Sequence, residues 1–198
     1  MYRILQRCIF LTLVVLPFFC CHSNKKEGKL ERYIEKFESK YVNHFLDVSD
    51  HVVRHYSFQN AIKGYDDNKG MYLRIWYELN EDDLTTLKSS LNKNVVTIVE
   101  PGCDSCLVLS TNSLSKDYPL KYPIPSFGEE LIELGLHSNM HLPNDFKLYI
   151  LEYAKGKYIS KDLLYKPNDF PEEWKHGFSK GVAISDERNS AIFWIEIW

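Results

Sequence analysis

Two cysteines three apart, in Cys103-Asp104-Ser105-Cys106, are the residues best placed for chemistry. A C-x-x-C pair supports thiol–disulfide exchange when a helix N-terminus directly follows and stabilises the first thiolate. Here Leu107-Val108-Leu109 follows, a run that reads as strand, and Gly102 stands before the first cysteine. The missing helix favours a small structural disulfide across a turn, the usual fate of such a pair outside the cytoplasm. A redox pair and a metal site are the alternatives. His137 and His141, four apart, would complete a Cys2His2 zinc set, but Pro143 marks their surroundings as loop.

Other motifs fall short on their own terms. His51 and His55 share a helical spacing, yet Val52-Val53 occupies the places where H-E-x-x-H needs its glutamate. Gly177-Phe178-Ser179-Lys180-Gly181 matches G-x-S-x-G, but the nucleophile elbow needs a helix after the serine and a downstream histidine. A strand is predicted there, and no histidine follows His176. Asp66-Asp67-Asn68-Lys69-Gly70 begins like a calcium loop but has Tyr77 where the closing glutamate belongs. Glu129/Glu133 and Glu172/Glu173 read as solvated helix faces. Neither a metal nor a cofactor is therefore expected, and no catalytic residue is assigned. Of the aromatics, Trp174 in a proline-bordered loop is retained as a contact for a partner, since aromatic anchors are enriched at interfaces.

The elements that must carry these residues follow from periodicity. Leu30, Tyr33, Ile34, Phe37, Tyr41 and Phe45 form one apolar stripe and predict a helix over 29–46. A second helix is predicted over 51–63, with Asp50 as N-cap and Gly64 as its end. Residues 71–78 read as strand. Asn80 caps a short helix bearing Leu84, Leu87 and Leu91 on one face. Strands are predicted over 95–99, 107–110 and 146–153, an extended proline-rich surface loop over 117–126, and a short helix over 127–136. Pro171 opens one helical turn. The chain closes with strands over 181–185 and 191–198 around a turn at 186–189. The last strand is apolar on both faces, so it belongs inside a sheet covered on both sides. Helices early and strands late predict an α+β fold, with N-terminal helices packed on a mainly antiparallel sheet that ends in a C-terminal β-hairpin.

Where this fold works is written at its start. Arg3 and Arg7 precede an almost wholly apolar run from Cys8 to Phe19, and Cys20-Cys21-His22-Ser23 follows. As a helix that run is roughly 20 Å long, short of the about 30 Å of a hydrocarbon core. No A-x-A-like cleavage site follows it. The segment resembles bacterial lipoprotein signal peptides, in which a cysteine after the apolar run is lipidated and becomes the mature N-terminus. Cys21 is the candidate and Cys20 the alternative; Phe18-Phe19-Cys20 stands where that family prefers leucine first and a small residue last. An uncleaved anchor and free secretion are the other readings of the segment.

The resemblance implies a cell-envelope protein, lipid-anchored to a bacterial membrane on its periplasmic face or at the cell surface, and stably held because several acyl chains bind where one does not. Residues 1–20 would then be signal, 21–28 a lipidated tether and 29–198 one globular domain. Without Arg3 and Arg7, 22 basic residues face 27 acidic ones, a net charge of −5 against −3 for the whole chain. That balance, with no basic cluster, excludes nucleic acid as a partner. The expected role is a non-catalytic binding module with a protein partner, of the inhibitor or immunity type. A membrane-tethered thiol–disulfide protein using Cys103 and Cys106, or a glycan-binding lipoprotein, is the alternative.

Overall fold

A computed structural model describes residues 23–60, 70–109, 120–127, 140–160 and 170–198. The expectations placed on Cys20, Cys21, Gly64, His137 and the helix over 127–136, apart from Phe127, lie outside those residues, as does the acidic loop before Gly70.

The chain enters through helix α1 (Ser23–Ile34), which begins inside the stretch expected to be a tether, and a short helix α2 (Ser39–Val42). The single helix predicted over 29–46 is thus broken, although neither proline nor glycine lies between the two pieces. After Ile34 the backbone tightens to three-residue hydrogen bonds, Lys36 to Tyr33 and Phe37 to Ile34, and Glu38 turns extended at ψ 141°. Tertiary packing sets this break: Phe37 meets the edge of Phe58 and Tyr33 stacks on the same ring. The apolar stripe keeps its purpose, with Leu30, Phe37 and Tyr41 buried.

The helix predicted over 51–63 is instead strand β1 (Val52–Gln59). A bulge explains the misleading period. β1 pairs antiparallel with β2 (Met71–Glu78), but the register shifts between Val53 and His55, leaving Arg54 as an extra residue. One extra residue moves the next inward side chain from two to three positions away. Val53 and Tyr56 therefore share a face at a spacing that mimics a helix. Helix α3 (Glu81–Leu91) forms as its sequence predicts: the Asn80 side chain accepts a 2.8 Å bond from the Asp83 N–H, and Leu84, Leu87 and Leu91 are buried.

The remaining strands are β3 (Thr97–Val99), β4 (Cys106–Leu109), β5 (Tyr122–Pro125), β6 (Phe146–Lys155), β7 (Gly177–Ser185) and β8 (Ser190–Ile197). Six of the eight strands among the described residues form one sheet in the order β1-β2-β8-β7-β6-β3, every neighbouring pair antiparallel. β7 and β8 make the C-terminal hairpin, closed between Ser185 and Ser190. β4 does not return beside β3; it pairs in parallel with β5 in a separate two-stranded sheet. The proline-rich stretch predicted to be surface loop is thereby partly interior, since Pro123, Ile124 and Pro125 are buried. Prolines are admissible there because a two-stranded sheet has only edges, where a missing N–H breaks no central ladder.

β8 is buried along its whole length between β2 and β7, as its two apolar faces demand. On one face Leu73, Ile75, Tyr77, Phe193 and Ile195 pack with the helices. On the other, Phe146, Leu148, Ile150, Ile192 and Trp194 are covered by Cys106, Ile124, Phe127, Met140 and Leu142. Beyond the end of that layer lies a third cluster of Leu107, Leu109, Leu120, Phe170, Trp174 and Trp198.

Candidate functional site

The candidate reactive residues are spread over four places, and the fold does not bring them together. Cys103 and Cys106 sit at the turn before β4. Gly102, at φ +88°, turns the chain there, and the two sulfurs come to disulfide distance with their Cα atoms 5.4 Å apart. Cys106 is buried and Cys103 half-buried; the Ser105 hydroxyl lies 3.4 Å from the Cys103 sulfur. The element that starts at Cys106 is a strand, so no helix begins at the second cysteine.

Ser179 is the third residue of β7 and is fully buried. Its hydroxyl donates to the Pro123 carbonyl at 2.6 Å and accepts from the Trp194 indole N–H at 3.3 Å. The two glycines of the G-x-S-x-G match have a packing purpose. A side chain at Gly181 would strike the Tyr149 carbonyl and, at 2.5 Å, the Trp194 ring; one at Gly177 would meet the Trp198 ring at 2.7 Å. The motif is a seat for two tryptophans. His51 and His55 stand at the start of β1 rather than on one helical face, and His51 Nδ1 bonds the Asp47 carbonyl at 3.0 Å. His141 lies 2.8 Å from the Ser126 hydroxyl through Nδ1. Among the described residues, no three His, Cys, Asp or Glu side chains converge to hold a metal, and no helix is long and apolar enough to cross a membrane.

Trp174 departs from its expected place. It closes a short 3-10 turn (Glu172–Trp174) and is only 3% exposed, which leaves it little area as an exposed anchor. Its indole donates to the Leu120 carbonyl at 3.0 Å, and its own carbonyl accepts from Trp198 at 2.7 Å. Both indole donors are thus satisfied inside the third cluster, as buried tryptophans require.

Among the described residues, hollows open beside β1 and at the end of β6. One, about 680 Å³, runs beside β1, an edge strand, and is lined by Leu30, Val48, Asp50, His51, Arg54 and Tyr56 among others. The second, about 620 Å³, lies where β6 ends against the 3-10 turn, between Leu120, Lys121, Tyr153, Lys155, Glu173 and Trp174. In it the Lys155 ammonium stands 4.7 Å from the centre of the Trp174 ring, and Tyr153 tilts against the same ring at 6.0 Å. Lys121 lies 4.9 Å from the Tyr122 ring centre. Its hydrogen bond to the Tyr122 hydroxyl holds the ammonium above its usual range and draws the phenol below its own. Nearby, burial first, and then the Lys157 and Lys175 charges, push His176 below the ordinary histidine value.

The sequence reading passed over Lys121, Tyr153 and Lys155. Tyr153 and Lys155 had a local signal, two tyrosines bracketing two lysines in Tyr153-Ala154-Lys155-Gly156-Lys157-Tyr158 at a strand end; Lys121 had none. His44 was also passed over. It is held under the sheet, with Nε2 bonded to the Trp194 carbonyl at 3.0 Å.

No protein-family model, curated protein or solved structure matches this chain.

Proposed function

We propose that this chain is a lipid-anchored extracytoplasmic protein whose folded part is a non-catalytic binding module for a protein partner, of the inhibitor or immunity type. The anchor half of the reading rests on Arg3, Arg7, the apolar run and Cys21. The disulfide distance between Cys103 and Cys106 supports an oxidising compartment, where such a bond persists. The observation that carries the binding half is where the fold leaves open space. The motif serine is packed between Trp194 and Pro123, whereas both hollows lie on the outside, at the edge strand β1 and at the end of β6.

Two measurements test it. Cys21→Ala should release the protein from the membrane fraction while Cys20→Ala leaves it there; retention of both variants removes the lipid anchor from the reading. Affinity capture with the full chain should retain one protein at equal stoichiometry, and enrichment on glycan beads instead would replace the protein partner.

One observation favours a second reading. Cys103 is the more exposed sulfur and Cys106 the sealed one, the asymmetry that a thiol–disulfide exchanger needs for attack and resolution. Turnover of a disulfide substrate by the full chain would select it.

A further inference from the structure

The hollow at the end of β6 has a chemical character that sets it apart from the rest of this acidic protein. Lys121 and Lys155 flank it, Lys157 follows two residues on, and all three are exposed. None of the three has a carboxylate partner among the described residues. The neighbouring pairs are already made: Lys175 with Glu172, and Lys180 with Glu152 at 2.9 Å. Glu173 is the one carboxylate in the described lining, so two lysines face one acid there on a chain of net charge −3, with Lys157 close by in sequence.

Below the charges the surface is aromatic and fixed. Tyr153 and Lys155 are two apart on β6 and so point to the same side. The Trp174 ring is locked by the bond to Leu120, and Tyr122 meets Tyr153 edge-on at 5.9 Å. A side chain that enters meets a preformed floor, so little ordering entropy is lost on binding.

We propose that this hollow binds an acidic segment of the partner protein. A carboxylate of that segment lies between Lys121 and Lys155, and an adjacent apolar side chain rests on Tyr153 and Ala154. Charge complementarity commits the occupant to an acidic one, and concavity commits it to a chain segment. A membrane of anionic lipid would need the lysines on a projecting surface, whereas here they rim a recess of about 620 Å³. The proposal rests on the binding-module reading and names the chemistry of its partner.

The test uses the full chain in detergent micelles and a fluorescent peptide of alternating Glu and Phe. Its Lys-for-Glu counterpart and phosphatidylglycerol vesicles serve as comparison probes. The acidic peptide should bind, and Lys121→Glu with Lys155→Glu should weaken it by about tenfold or more, since reversed rim charges repel it. Tyr153→Ala should weaken it as well. Lys36→Glu with Lys147→Glu makes the same change in net charge at exposed positions elsewhere and should leave affinity within about twofold. Equal losses from the two double variants, or vesicle binding in place of peptide binding, overturn the proposal. Cross-linking in envelope extracts separates it from the reading it rests on. A protein retained equally by wild-type and Lys121→Glu/Lys155→Glu chains overturns the groove alone, and no protein retained by either overturns both.

Discussion

Ser179 and Trp194 are joined across β7 and β8: the buried hydroxyl accepts the indole N–H at 3.3 Å while donating to Pro123 at 2.6 Å. This single side chain ties the main sheet to the two-stranded sheet, because Pro123 belongs to β5. Ser179→Ala should therefore act on stability. It leaves a buried indole donor and a buried carbonyl without partners, at a cost of about 1–3 kcal/mol. Urea unfolding measures that loss. In the wild type a serine-directed phosphonate should leave Ser179 unlabelled, and labelling would restore the nucleophile reading that the buried geometry opposes.

The same motif shows where sequence stops being informative. Asn80 with its leucines, the doubly apolar β8 and the turn at Cys103–Cys106 were legible because each is decided within a few residues. Gly177 and Gly181 were not, because what crowds a side chain there is the ring of Trp194 on β8 or of Trp198 just after it. β1 was misread because the bulge at Arg54 imposes a helix-like spacing on a strand. The β6 hollow could not be read at all as a unit: Lys121, Lys155 and Trp174 come from three separate segments, and only the folded chain puts them around one recess.

His44 should make stability depend on pH. Its Nε2–H donates to the Trp194 carbonyl, while Nδ1 is buried without a hydrogen-bond partner. Burial holds its pKa down at about 3, helped by the Lys180 charge and opposed by the Trp194 carbonyl. An unfolded histidine takes its proton near pH 6.5. Between those values the unfolded chain binds more protons than the folded one, so stability falls as pH falls. The slope is at most about 1.4 kcal/mol per pH unit. His44→Phe keeps the ring against Phe45 and Phe193 and removes the titration. Denaturant midpoints from about pH 7.5 to about pH 4.5 should slope less in the variant; parallel slopes would rule this residue out as the cause.

Arg74 and Glu196 form a 3.0 Å ion pair on adjacent strands, with side chains only 11% and 8% exposed. Burial pushes the Glu196 carboxyl above its ordinary range, and the Arg74 charge pulls it back only in part. A pair this dry is sensitive to losing one member. Glu196→Leu strands a buried guanidinium and should cost about 3–5 kcal/mol. Arg74→Met combined with Glu196→Leu should recover most of that, because two apolar side chains carry no desolvation penalty. A double-mutant cycle in urea measures the coupling, and a double variant as unstable as Glu196→Leu alone would show that the pair is not the source of the loss.

The cysteine turn divides the two readings of this chain most sharply. A bond between Cys103 and Cys106 closes a loop of four residues, for which chain entropy gives a stabilisation of roughly 2 kcal/mol. Reductant should lower stability by that amount, Cys103→Ser should lower it equally, and reductant should then have no further effect on the variant. As a staple the pair would keep its bond in a glutathione buffer at the poise of an oxidising compartment, because structural disulfides have low potentials. As an exchange centre it would instead equilibrate with that buffer and reduce a test disulfide catalytically. Strand β4 starting at Cys106 puts no helix N-terminus on Cys103, so its thiolate lacks the stabilisation that exchange requires. The expected result is therefore a stoichiometric, slowly reducible bond, and a Cys103 thiol that titrates well below the ordinary cysteine value in the reduced protein would reverse that conclusion.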